Sequence, residues 1–325
     1  MGNRRYLVLV LLAVMVPALT SPASAAVDDL LMKGRVLMLG DSITHAGQYV
    51  SYLSQRLARH HGRLPDIIAI GLGSETASGL SEKDHPFPRP CVHERLARAL
   101  ERIKPQVVLA CYGMNDGIYW PLDDSRMQAF QQGIGKLIAD CRAAGAQVVL
   151  LTPPPFDPQP VGARLRAAGA EDYGYKAPFA GYDGVLAAFA TWEISQRSDQ
   201  VRVIDFNGPL TAFVAERRKS EPTFAFSGDG IHPNEQGMLL MADVMLRDLG
   251  YPGVGADLAA ALATLAADPL HASIKSWREQ RSNGWRDYVG YTRDKAVTRA
   301  TIDDVELKVT ALRQTIEASL QQQAP

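Results

Sequence analysis

Four residues in this 325-residue chain have the chemistry of acyl transfer: Ser42, Asn115, Asp229 and His232. A serine hydroxyl is a weak nucleophile at neutral pH, so it needs a base within hydrogen-bond reach. The base in turn needs a third group that fixes its tautomer. Asp229 and His232 meet both needs, because three-residue spacing around Gly230 sets a carboxylate and an imidazole on one short turn. Charge that develops on a substrate carbonyl oxygen calls for neutral donors already aimed at it. The Ser42 N–H and the Asn115 side-chain amide are two such donors, from separate strand ends.

These groups require a scaffold that delivers them to one edge. The apolar run Val36-Leu37-Met38-Leu39 leads straight into Gly40-Asp41-Ser42-Ile43-Thr44, a strand followed by a tight turn that presents the serine. Short apolar runs recur at Arg35–Leu39, Asp66–Ile70, Gln106–Cys111, Gln147–Thr152 and Val201–Asp205. Between most of them, Gln48–His60, Cys91–Arg102, Ser125–Ala144 and Gly181–Ser198 space their apolar residues three and four apart, as helices with one buried face do. That alternation predicts parallel strands with crossover helices, an α/β fold in a three-layer α/β/α sandwich. Pro233-Asn234 opens a helix over Glu235–Leu249. The Pro-rich loops Ser81–Pro90 and Pro153–Pro160 and the Gly/Ala/Tyr-rich stretch Ala167–Ala180 are expected on the site's rim.

The blocks Gly40-Asp41-Ser42-Ile43-Thr44, Gly71-Leu72-Gly73-Ser74-Glu75-Thr76, Gly113-Met114-Asn115-Asp116 and Asp229-Gly230-Ile231-His232 occur in this order. In them the chain resembles the SGNH/GDSL hydrolase family (GDSL-like lipase/acylhydrolase) over about Arg35 to Leu249. The resemblance implies a flavodoxin-like five-stranded parallel sheet of order 2-1-3-4-5. It also implies Ser42, Asp229 and His232 as a catalytic triad, and an oxyanion hole from Ser42 N–H, a main-chain N–H of the second block, and Asn115. One position departs from the family: Ser74 stands before Glu75-Thr76 where the family carries glycine. The donor is a main-chain N–H, so Ser74 is assigned the role and Gly73 is the fallback. Asp41, Glu75, Asp116 and Trp120 are candidates for site support or substrate contact, while Tyr112, Tyr119 and Trp120 read first as packing residues.

Each residue also has a plainer reading. Ser42 alone is an ordinary N-cap serine and Asn115 alone an ordinary turn residue; the full set of blocks favours the reactive roles. Asp41 is expected to hold the turn rather than react. His45, His60, His61, His85, His93 and His271 lie outside the Asp229-Gly230-Ile231-His232 block and are expected to be surface or core residues.

Composition narrows the classes further. Lys and Arg number 34 against 35 Asp and Glu, so no basic excess suits nucleic acid and no like-charged run suits an anionic membrane surface. Arg4 and Arg5, the apolar run to about Leu19 and the small residues through Ala25 form a signal peptide over 1–25, which implies export to a periplasm or the cell exterior. No later segment is long and apolar enough to span a membrane. Cys91, Cys111 and Cys141 are three, so one at least stays unpaired, and Cys111 and Cys141 read as buried free thiols. No Cys/His spacing resembles a zinc site, and the chemistry needs neither metal nor organic cofactor. The hydrolase domain is expected over 33–250. A helical extension over 251–325 follows, with Trp277, Trp285 and Tyr288 as apolar anchors.

The expected activity is ester hydrolysis through an acyl-enzyme, on small-molecule or polysaccharide esters, most of all the removal of acetyl groups from carbohydrate. A broad short-chain esterase, lysophospholipase or thioesterase is the alternative. Acyl transfer to a sugar hydroxyl and a non-catalytic carbohydrate-binding protein on the same fold stand behind it.

Overall fold

The computed structural model describes residues 28–291 and 302–322. The expected signal peptide lies outside the described residues. A five-stranded parallel sheet is built from β1 (Arg35–Gly40), β2 (Asp66–Ala69), β3 (Val107–Cys111), β4 (Gln147–Leu151) and β5 (Val201–Ile204), in the order β2-β1-β3-β4-β5. Helices cover both faces of such a sheet, so its strands read as continuous rather than alternating apolar runs. Val36 to Leu39 and Val107 to Cys111 are buried without a break.

Right-handed crossovers fix which face each helix takes. The step from β1 to β2 runs opposite to the later steps across the sheet. It therefore puts α1 (Ser42–Ala46) and α2 (Gln48–His61) on one face. The steps that follow place α3 (Leu96–Ile103), α4 (Asp124–Ala143) and α5 (Tyr182–Ser195) on the other, where Phe130 of α4 stacks on Phe189 of α5 with ring centroids 4.1 Å apart. After β5, α6 (Asn207–Ser220) leads to α7 (Glu235–Asp248), which packs along α2. The order reverses between β1 and β3, and Ser42 and Asn115 leave the carboxyl ends of those two strands. Open α/β sheets bind their ligands at that reversal.

Three elements differ from expectation. A 3₁₀ turn over Val92–Glu94 delays α3 to Leu96. Helix α6 was not expected at all. The last described helices are α8 (Leu258–Ala267), α9 (His271–Val289) and α10 (Ile302–Gln322), and α9 runs two turns past Arg281. Helix α9 packs on α2, α10 and the edge strand β2, burying Trp277 and Trp285. Its Arg281 donates to the Ile67 carbonyl at 3.1 Å and pairs with Asp66, satisfying groups that an open sheet edge leaves bare. Helix α10 adds Val309, Ile316 and Leu320 to a cluster with Leu270, Ile274 and Trp277. None of the described helices is long and apolar enough to cross a membrane. All three cysteines are free, with Cys111 and Cys141 buried.

Candidate active site

Ser42 owes its position to two neighbours. Asp41 caps α1 by accepting the Ile43 N–H at 2.9 Å, which places Ser42 in the first turn of the helix. Gly40 must lack a side chain, because a Cβ there would lie 2.3 Å from Thr44 Oγ1 and 2.8 Å from the Cys111 carbonyl oxygen. The strand can thus turn tightly against β3. Burial pushes the Asp41 carboxyl up to about 7, against the Ile43 hydrogen bond and the field of His232. That environment suits a capping residue.

The turn carrying Asp229 and His232 docks on the loop after β4. The Asp157 N–H donates to the Gly230 carbonyl at 2.9 Å. Gly230 has φ +90°, and a Cβ there would strike Val161 at 2.4 Å and the Asp157 carbonyl at 2.8 Å. Ser42, Asp229 and His232 meet as a relay. His232 Nε2 lies 2.8 Å from Ser42 Oγ, and His232 Nδ1 lies 2.6 Å from Asp229 Oδ2. The other carboxylate oxygen, Asp229 Oδ1, accepts the Ile231 and His232 N–H groups and the Ser227 hydroxyl, each at 2.8 Å. Burial alone would raise the Asp229 carboxyl. Its hydrogen bonds, led by the His232 ring, outweigh that and hold it well below the usual carboxylate range. The same bond raises the His232 imidazole above its ordinary 6.5, against partial burial.

Asn115 arrives from the β3 end, 4% exposed, with its amide orientation fixed by its partners. Oδ1 accepts Arg89 Nη1 at 2.9 Å and the Tyr119 hydroxyl at 3.1 Å, and Nδ2 donates to the Glu75 carbonyl at 3.2 Å. Asp116 ties the second and third blocks together: its carboxylate accepts the Ala77 N–H at 2.8 Å, Ser78 N–H at 2.7 Å and Gly113 N–H at 2.8 Å. Glu75 is fully buried, forked by Arg95 at 2.6 Å on both oxygens, and bonded by the Tyr112 hydroxyl. Asp116 and Glu75 thus hold loops in place.

Ser74 adopts φ +65°, the left-handed conformation that glycine takes without strain. Gly73 and Ser74 both line a cleft of about 310 Å³ together with Ser42, His232, Ile231, Asn115, Arg89, Tyr119, His85, Pro86, Phe87 and Tyr175. Trp120 does not line it. Its ring packs on Tyr173 at 5.0 Å and on the Arg126 guanidinium, whereas its neighbour Tyr119 lines the cleft. A second cavity, about 280 Å³ between α5 and α6, lies behind the Asp229 turn and reaches neither Ser42 nor His232.

Sequence reasoning missed the wall of this cleft. Arg89, His85, Phe87 and Tyr175 carry no periodicity and belong to none of the four blocks. The one available signal was the rim position expected of their loops.

Residues 38–240 match the GDSL-like lipase/acylhydrolase family. The chain belongs to this family. Its members are serine carboxylic ester hydrolases, and this chain carries their esterase domain. No curated protein matches the GDSL-family chain. Among solved structures it is similar to BT4096, a gut microbial diltiazem-metabolizing enzyme, with TM-score 0.51 and 20% identity over 70% of this chain and 49% of that one. The chain thus spans about half the length of that neighbour. It is also similar to a catalytic mutant of Axe2, an acetylxylan esterase from Geobacillus stearothermophilus. There the TM-score is 0.44 and the identity 16%, over 69% of this chain and 98% of that one. For the psychrotrophic esterase EstA from Pseudoalteromonas sp. the TM-score is 0.41 and the identity 21%, over 66% and 94%.

Proposed function

We propose that the protein hydrolyses short-chain esters, above all acetyl esters on carbohydrate, through an acyl-enzyme on Ser42. The observation that carries this reading is the relay itself: serine, imidazole and carboxylate joined at 2.8 and 2.6 Å, beside a side-chain amide held in one orientation. Ser42 Oγ attacks the ester carbonyl as His232 Nε2 takes its proton, and Asp229 stabilises the imidazolium. The N–H groups of Ser42 and Ser74 and the Asn115 amide receive the oxyanion. His232 then protonates the leaving alcohol. Water attacks the acyl-enzyme with His232 again as base, releasing the acid and restoring Ser42.

The cleft supports a short acyl group and a ring-bearing alcohol. Its buried lining residues are Arg89, Asn115 and Tyr119, and a long alkyl chain laid on a buried guanidinium and amide would gain little. Its outer wall carries His85, Phe87 and Tyr175. Phe87 is 38% exposed, and the His85 ring sits 4.5 Å from it and 5.4 Å from Tyr175. Exposed aromatic faces beside an ester site suit the apolar face of a sugar ring. The basic, apolar and small-residue order of residues 1–25 supports export, and the domain limits 33–250 and 251–325 remain part of the proposal.

Acetate release from acetylated xylan, pectin and glucomannan, measured beside p-nitrophenyl esters of increasing chain length, tests the reading. Release from one polysaccharide that disappears in Ser42→Ala supports it. A rate that rises with acyl length and no release from any polysaccharide would replace it with a lipid or general esterase.

A further inference from the structure

We infer that Arg89 is a positioning residue for acyl transfer, whose guanidinium locks and polarises the Asn115 amide that receives the oxyanion. This rests on the proposed role of Asn115. Asn115 Oδ1 accepts two donors, Arg89 Nη1 at 2.9 Å and Tyr119 Oη at 3.1 Å. Asn115 Nδ2 spends one of its two hydrogens on the Glu75 carbonyl. An arginine has donors only, so it cannot face the NH₂ end of the amide, and the flipped orientation is forbidden. The remaining Nδ2–H therefore has a fixed direction before substrate arrives.

The charge has a second effect. A cation bonded to an amide oxygen draws electron density away from the nitrogen and strengthens the N–H as a donor. Hydrogen bonds in a chain polarise one another in this way, more so where water is excluded. Arg89 is 5% exposed and Asn115 4%, so little solvent screens the effect. The guanidinium is itself held rigidly. Glu82 forks it with two bonds of 2.6 Å, the Tyr119 ring centroid lies 5.5 Å away, and Tyr119 stacks on Tyr182 at 4.8 Å. Glu82 compensates the buried charge, so the pair acts as an internal dipole with its positive end on Asn115. Arg89 also reaches the Ser74 carbonyl at 3.4 Å, on the loop that supplies the other proposed main-chain donor. One side chain from the Pro-rich loop thus braces two of the three oxyanion donors.

A purely structural role, in which Glu82 and Arg89 only staple the loop, predicts losses that do not depend on residue 115. The test is a cycle of wild type, Arg89→Met, Asn115→Ala and the double variant, with kcat and KM for p-nitrophenyl acetate. Asn115→Ala should lower kcat by about 10²- to 10³-fold. Arg89→Met should lower kcat about 10- to 100-fold, as loss of a charge-assisted bond does, with KM within about 3-fold of wild type. In the Asn115→Ala background the same change should cost at most about 3-fold, because its target is gone. Glu82→Met with Arg89→Met leaves no orphaned carboxylate, so it should keep the wild-type melting temperature and repeat the kcat loss. Arg89→Lys keeps a cation at Asn115 and should restore most of the rate. Multiplicative losses in the cycle, a loss confined to KM, or a fully active Glu82→Met/Arg89→Met protein would overturn the inference. An undiminished kcat in Asn115→Ala would instead remove the oxyanion assignment beneath it.

Discussion

Replacing Asp229 by asparagine changes one atom and should nearly abolish turnover, for a reason the hydrogen bonds dictate. Asp229 Oδ1 accepts three donors at 2.8 Å, the N–H groups of Ile231 and His232 and the Ser227 hydroxyl. The asparagine oxygen must therefore take that place, since turning the amide round would aim NH₂ at two N–H groups that cannot accept. The NH₂ group then faces His232 Nδ1, now 2.6 Å from Asp229 Oδ2, and forces that nitrogen to accept. The proton moves to Nε2, which points at Ser42 Oγ 2.8 Å away and can no longer take its hydrogen. The same wrong-tautomer substitution in a serine protease triad costs roughly 10⁴ in kcat, or about 5.5 kcal/mol of barrier. Steady-state hydrolysis of p-nitrophenyl acetate by Asp229→Asn, with a melting curve to show an intact fold, measures this. A loss below about 10-fold at neutral pH would refute the tautomer argument.

Further outcomes follow from the same geometry. His232 must be neutral to act as base and its pKa is raised above 6.5. kcat/KM should therefore fall as pH drops through a value above 6.5, and a pH–rate profile with its acid limb below 6 would contradict the relay. Ser74→Gly relieves a left-handed serine while keeping the main-chain N–H, so chemical denaturation should show a gain of about 1 kcal/mol with kcat within about 3-fold of wild type. Glu193 on α5 is wholly buried, and among the described residues neither carboxyl oxygen has a hydrogen-bond partner. Burial, then the fields of Asp116 and Asp205, push its carboxyl well above the ordinary 4.5. The folded state holds this proton where the unfolded chain has lost it, so the group costs stability increasingly as pH rises from about 4.5 toward its raised folded value. Glu193→Met should stabilise the protein by about 1–3 kcal/mol at pH 8 and by less at pH 5; equal denaturation midpoints at pH 8 would count against it.

The sheet was legible because a doubly covered parallel sheet writes its strands as unbroken apolar runs, as Val36–Leu39 and Val107–Cys111 do. The reactive residues were legible because their chemistry constrains neighbours in sequence: Asp229 sits three residues from His232, and Gly40 and Asp41 precede Ser42. Helix α6 was hidden by its opening Asn207-Gly208-Pro209, which reads as a turn. Proline is nonetheless tolerated in a first helical turn, and this helix buries only Asn207, Leu210 and Val214. Arg89 was hidden for another reason. It lies 26 residues from Asn115 in a loop whose prolines signal irregular chain, and only the folded path brings its guanidinium to the amide. For Trp120 the sequence favours packing over ligand contact but does not show which way the ring faces. The left-handed residues Ile118 and Tyr119 turn the chain so that Tyr119 faces the cleft and Trp120 packs on Tyr173.

Passage of the acyl group through Ser42 can be caught by rapid quenching of the reaction with p-nitrophenyl acetate followed by peptide mass spectrometry. One acetyl group should appear on the peptide containing Ser42, formed in a burst and lost with turnover, with neither acetylation nor hydrolysis in Ser42→Ala. Acetylation at another residue, or full turnover by Ser42→Ala, would contradict it.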